Sequence, residues 1–254
     1  QWLGGPDFAA ATPVVLANQR VGGSVTQALT VSNTAPAGLF TEGLNASFVS
    51  AGGDAQHNGG SINLLAGGAS NNSAMNVGVN AATAGARSGT VTLGYVSDGA
   101  ATSALGQIGV GSQVINVSGN VYQIAQPALS TVVNLGNVHV GGNASQSISI
   151  GNTLVAPAGF QEGLDVTIGS TTGGGAGAGS ISNLAAGSSS NAVSIGLNGI
   201  GAGNQNGTVT LNLTSNQLQV GPVVPVPAAL WLFGSAIGLL GDEEHATAVG
   251  GWHE

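Results

Sequence analysis

Gly89-Thr90-Val91-Thr92-Leu93 and, again, Gly207-Thr208-Val209-Thr210-Leu211 are the stretches whose reading decides the fold. In both, large apolar residues alternate with threonine, and the alternation runs on through Tyr95 in one and Leu213 in the other. A period of two sends one set of side chains to a core and the other to solvent, which is a half-buried β-strand. The near-identity of two distant stretches also points to an internal repeat.

Working outward, the repeat organises most of the chain. Val14-Val15-Leu16 precedes Val21-Gly22-Gly23 as Val132-Val133-Asn134-Leu135 precedes Val140-Gly141-Gly142. Gln27 to Thr34 matches Gln146 to Thr153, and Pro36-Ala37-Gly38 matches Pro157-Ala158-Gly159. Glu42-Gly43-Leu44-Asn45 matches Glu162-Gly163-Leu164-Asp165. Met75, Val77 and Val79 correspond to Val193, Ile195 and Leu197. Several short strands separated by glycine-rich turns, with no amphipathic helix, predict an all-β chain: two tandem immunoglobulin-like antiparallel β-sandwiches followed by a short apolar C-terminal segment. The expected divisions are 1–11, an extension and candidate donor strand; 12–126, the first sandwich; 127–220, the second; and 221–254, a proline-rich, apolar tail with an acidic end.

The copies differ where they finish. After Leu93 the first continues to Gln113-Val114-Ile115-Asn116-Val117-Ser118-Gly119-Asn120-Val121-Tyr122, which reads as a closing strand. After Leu211 the second reaches only Gln217-Leu218-Gln219-Val220 before the tail. Either 217–224 folds back to complete the sheet, or a neighbouring subunit supplies the strand. An unclosed sandwich is a template for pairing with another chain, so head-to-tail self-association is the expected partnership. The candidate donors are residues 1–11 and the apolar tail.

Composition removes several classes of function. With net charge −8 and Arg20 and Arg87 as the only basic residues, a phosphate-tracking groove for nucleic acid is excluded. There is no cysteine, hence no disulfide or thiolate metal site. The 45 glycines would suit disorder, but 42% hydrophobic residues in regular alternation argue against it. Gln1 opens the chain without a basic region or apolar run, so an exported form is expected to carry it as a mature terminus.

No catalytic, cofactor or metal constellation is legible, and no enzyme is expected. His57, His139, His245 and His253 have no metal-ligand spacing. Glu42 and Glu162 occupy equivalent positions in different domains, so they read as retained turn or edge structure rather than an acid–base pair. No Asp-X-Asp-X-Asp loop for calcium occurs. Asn-X-Ser/Thr triplets begin at Asn45, Asn71, Asn116, Asn143, Asn206 and Asn212, the candidate glycosylation positions.

The tail reads Val224-Pro225-Val226-Pro227, then an apolar run from Ala228 to Leu240 carrying Leu230, Trp231, Leu232, Phe233, Ile237, Leu239 and Leu240. It resembles the sorting signal of PEP-CTERM proteins, with Val226 where a glutamate is usual and Asp242, Glu243 and Glu244 in place of the basic cluster. The repeats, over about residues 12–220, resemble the choice-of-anchor D group of bacterial surface domains. Together these resemblances imply export to the bacterial surface or beyond, with biofilm or exopolysaccharide as the setting. Thirteen helical residues rise about 20 Å, short of a hydrocarbon core of about 30 Å, so any membrane contact is expected to be transient. The expected function is a structural protein that assembles into an extracellular filament or surface matrix by strand pairing and burial of the tail. The alternative is a monomeric adhesin or glycan-binding module, anchored or released through the sorting signal.

Overall fold

Glycine-punctuated alternation produces strands throughout the computed structural model, which describes residues 6–8 and 13–217. The sorting motif Val224–Pro227 and the apolar residues from Leu230 to Leu240 lie outside the described residues. In the first repeat the strands are β1 (Pro6–Phe8), β2 (Val14–Val15), β3 (Gln19–Arg20), β4 (Thr26–Ala28), β5 (Val31–Asn33) and β6 (Gly43–Gly53). They continue with β7 (Ala55–His57), β8 (Ser61–Leu65), β9 (Ser70–Asn71), β10 (Asn76–Val79), β11 (Gly85–Asp98) and β12 (Ile108–Tyr122). The second repeat has β13 (Pro127–Leu129), β14 (Ala144–Asn152), β15 (Gly163–Thr172), β16 (Gly175–Ala178), β17 (Ile181–Leu184), β18 (Ser189–Leu197) and β19 (Thr208–Asn216).

The first sandwich sets a six-stranded sheet, β2-β12-β11-β6-β8 with β3 also on β12, beside the sheets β1-β5-β9 and β4-β10-β7. The second sets β13-β14-β18-β16 beside β17-β15-β19. All pairings are antiparallel except β2 and β3, which run parallel to β12. Each sandwich has its own core. Leu29, Leu44, Met75, Val91, Leu93, Tyr95 and Ile115 are buried in the first, and Ile150, Leu164, Val166 and Val193 in the second.

The repeat holds down to individual hydrogen bonds. Asn33 Nδ2 donates to the carbonyls of Glu42 and Leu65, and Asn152 Nδ2 to those of Glu162 and Leu184. Leu64 and Asn183 share a positive φ, 51° and 55°, and their N–H groups donate to Asn45 Oδ1 and Asp165 Oδ1. Glycine is required beside that kink: a Cβ on Gly43 would lie 2.8 Å from Leu64 Cα. One pair has exchanged its members. Asn45 Nδ2 donates to Asp98 Oδ2 in the first copy, whereas Asn216 Nδ2 donates to Asp165 Oδ2 in the second.

The N-terminal segment differs from its sequence reading as an extension outside the repeat. Pro6 pairs with Asn33 in β1–β5 just as Pro127 pairs with Asn152 in β13–β14. Since Asn33 and Asn152 are equivalent, residues 6–8 are an edge strand of their own sandwich. Only the proline is shared between the two short strands, too little for sequence comparison to detect.

Candidate functional site

Two surfaces stand out: the joint between the sandwiches and the β19 edge of the second, which has no described neighbour. At the joint, β12 delivers Gln123 against the start of the second sandwich. Gln123 N–H donates to the Phe160 carbonyl at 2.8 Å, and Glu162 N–H donates to the Gln123 carbonyl at 2.9 Å, a parallel bridge centred on Gln123 and Gln161. The rings of Tyr122 and Phe160 lie 5.6 Å apart. Arg20 on β3 closes the contact with a two-pronged grip on Glu162, Nε to Oε1 at 2.8 Å and a terminal nitrogen to Oε2 at 2.9 Å. Ser215 Oγ donates to Glu162 Oε2 at 2.5 Å and accepts the Ala125 N–H at 2.9 Å.

Glu162 is fully buried while Arg20 remains 48% exposed. Burial alone would raise the carboxyl pKa, but the hydrogen bonds from Arg20 and Ser215 and the guanidinium charge outweigh it and hold the group below its usual range. The Arg20 pKa is raised by the same bond. Glu162 therefore stays an anion that locks one sandwich to the next. Glu42, its counterpart, is also buried and accepts the hydroxyls of Ser97 and Ser103 at 2.8 and 2.9 Å. Sequence reasoning placed both glutamates in turn or edge structure and did not find the Arg20 contact. The available signal was slight: one of only two basic residues, upstream of a retained acidic position.

The receiving end of the first sandwich repeats this surface with its face outward. Phe40, equivalent to Phe160, is 78% exposed, and the neighbouring Leu39 is exposed too.

The second surface follows from strand order. In the first sandwich β11 is central, flanked by β6 and β12. In the second, its counterpart β19 pairs only with β15 among the described residues, because no described strand corresponds to β12. Two consequences follow. The segment 131–143, equivalent to that carrying β2 and β3, meets no described counterpart of β12 and forms no strand; Gly141 and Gly142 bond to the main chain of Ile200 instead, and Val132 and Val140 are exposed. The core also thins: Tyr95 on β11 is 2% exposed, whereas the equivalent Leu213 is 40% exposed. Between the sheets lies a groove of about 770 Å³ lined by Leu129, Val133, Ile195, Val209, Leu211 and Leu213, among others.

The candidate glycosylation positions fall into two groups. Asn116, Asn143, Asn206 and Asn212 are exposed. Asn45 is half-buried with both ends of its amide engaged, and Asn71 Oδ1 accepts the Ser73 and Ala74 N–H groups in a local turn. His57 stacks on Phe48 at 4.2 Å, and His139 is exposed in the segment 131–143. Among the described residues no three His, Asp or Glu side chains gather as a metal site would need, and no helix is long and apolar enough to cross a membrane. His245 and His253 lie outside the described residues.

No family model and no curated protein matches the chain. Among solved structures, one similar chain is a protein of unknown function from Porphyromonas gingivalis W83, with 15% identity and TM-score 0.34, covering 76% of this chain and 83% of that one. Another is from the CsuC–CsuE chaperone–tip adhesion subunit pre-assembly complex of Acinetobacter baumannii Csu pili, with 12% identity and TM-score 0.31, covering 82% and 99%. A third is the three-Ig titin fragment I67–I69, with 14% identity and TM-score 0.28, covering 84% and 65%. At these scores the likenesses carry no argument about function; the tandem β-sandwich fold stands on the strands and cores themselves.

Proposed function

We propose that the chain is a non-enzymatic structural protein exported to the bacterial surface, where copies join head to tail through β-strand pairing into a filament or surface matrix. The observation that carries this reading is β19 of the second sandwich, which pairs only with β15 among the described residues. An edge strand with no described neighbour, beside a groove whose lining is part apolar and part polar, is a site for main-chain pairing with side chains seated in alternate pockets. Few charges oppose such pairing, since β19 contains none. The exposed Phe40, on a surface that its counterpart uses to receive another domain, supports the head-to-tail arrangement. Burying what remains exposed of the groove residues contributes a fraction of the about 1.5–3 kcal/mol that full burial of a large side chain gives, before ordering costs.

Negative-stain electron microscopy of the purified full chain tests the reading. Fibres whose length grows with protein concentration are expected. A Leu211→Asp, Leu213→Asp double variant, with charges in the groove, is expected to remain monomeric. Wild-type chains that stay monomeric at every concentration, or a double variant that polymerises normally, contradict it.

A further inference from the structure

We propose that the second sandwich's counterpart of β12, which no described residue supplies, is the apolar tail segment Val226–Leu240 of a second copy of this chain, seated in the register that β12 holds in the first sandwich. The inference rests on the assembly reading above and names the donor.

Spacing along the chain points to this segment. In the first sandwich nine residues, Gly99–Gln107, connect the end of β11 to the start of β12. Asp98, which ends β11, is equivalent to Asn216, which ends β19. Nine residues further, after Gln217–Pro225, the segment matching β12 in length is Val226–Leu240, which contains the whole apolar run. β12 turns Ile115, Val117 and Val121 into the core and leaves Val114 exposed. In the same register, from Trp231 onward, the tail would present Trp231, Phe233, Ser235, Ile237 and Leu239 inward, four of them large and apolar, with Ser235 at the place of Val117. Its other face would carry Leu230, Leu232, Gly234, Ala236, Gly238 and Leu240. The groove's exposed Leu213 and half-buried Val209 and Leu211 supply the apolar wall that such a face requires.

The connecting residues favour a neighbouring copy over the chain's own tail. The connection Gly99–Gln107 reverses tightly: the Gly99 carbonyl accepts the N–H groups of both Thr102 and Ala104, and Asp98 Oδ1 accepts that of Ala100. Its counterpart, Gln217-Leu218-Gln219-Val220-Gly221-Pro222-Val223-Val224-Pro225, contains two prolines. Proline fixes its own φ and drives the preceding residue, here Gly221 and Val224, toward extended conformations. Its β-branched valines favour extension too. Nine extended residues reach about 30 Å, enough to carry the segment to another molecule. An extended hinge of this kind favours exchange between copies over closure on itself.

The chain has no cysteine, so paired cysteines report the contact directly. By analogy with Thr92 facing Val114, Thr210 should face Leu232. Facing Cα atoms lie about 4.5–5.5 Å apart, within disulfide range, against about 7–8 Å for a diagonal neighbour. Full-length Thr210→Cys chains are mixed with full-length Leu232→Cys chains and oxidised. Thr210 is exposed, so its replacement leaves folding intact, and Thr208→Cys with Gly234→Cys provides a second pair in the same register. The expected result is a mixed disulfide dimer several-fold more abundant than with Thr210→Cys and Gly234→Cys, a diagonal combination. The inference is overturned if the mixture gives no dimer while filaments form, which leaves the assembly reading standing. It is equally overturned if a Thr210→Cys, Leu232→Cys double variant cross-links only within one chain. Absence of both filaments and cross-links removes the assembly reading as well.

Discussion

Truncating equivalent leucines in the two sandwiches separates a closed core from an open one. Leu93 on β11 is 1% exposed, flanked by β6 through Phe48 and by β12 through Gln113. Leu93→Ala should cost the upper part of the usual range for a buried leucine, about 3–4 kcal/mol, because strands on both sides keep the cavity from collapsing. Leu211 occupies the same place on β19 but is only half-buried and faces the groove. Only its covered part is lost on truncation, and the groove wall can relax, so about 1–2 kcal/mol is expected for the dilute monomer. For sandwiches of this size each kcal/mol lowers the midpoint by about 4–8 °C. Scanning calorimetry at low concentration, with the two transitions assigned from single-sandwich variants, should show the Leu93→Ala shift at roughly twice that of Leu211→Ala. Under assembling conditions the Leu211→Ala penalty should grow while that of Leu93→Ala stays constant. Equal penalties in the monomer would mean that β19 is already covered, refuting the missing-strand argument.

The joint gives further predictions. Arg20→Ala leaves Glu162 buried without its cation; because Arg20 is half in solvent, the cost should be about 1–2 kcal/mol rather than the larger value for a fully enclosed pair, read as faster proteolysis between Gln123 and Gln126. Glu162 has a lowered pKa in the folded protein, so its contribution is present above the unfolded value of about 4.3 and is lost as pH falls through the folded one. Small-angle scattering should accordingly show the joint loosening in acid, a response that Glu162→Gln removes. Finally, Asn45→Asp sets two carboxylates together and should be destabilising, while adding Asp98→Asn recreates the arrangement of the second copy and recovers most of the loss; a double-mutant cycle in urea measures the coupling.

What the sequence made legible was local. Period-two alternation located β11, β18 and β19, and the paired Gly-Thr-Val-Thr-Leu stretches exposed the repeat. Less legible was whatever depends on pairing across distance. Pro6–Phe8 is too short for alternation to mark, and only its register against Asn33 identifies it as an edge strand. Arg20 and Glu162 are joined across 142 positions, and no spacing rule connects a surface arginine with a glutamate inside another domain. The exchange of amide and acid between Asn45–Asp98 and Asp165–Asn216 was likewise hidden, because each residue by itself looks like an ordinary turn former.

Amide hydrogen exchange along Thr208–Asn216, compared between dilute monomer and assembled protein, tests the central claim most directly. In an edge strand, alternate N–H groups point away from the neighbouring strand. The account predicts that this outward set exchanges rapidly in the monomer, unlike the equivalent amides of Gly85–Asp98 between β6 and β12, and becomes strongly protected on assembly. Protection of every β19 amide already in the monomer, or no gain on assembly, would contradict it.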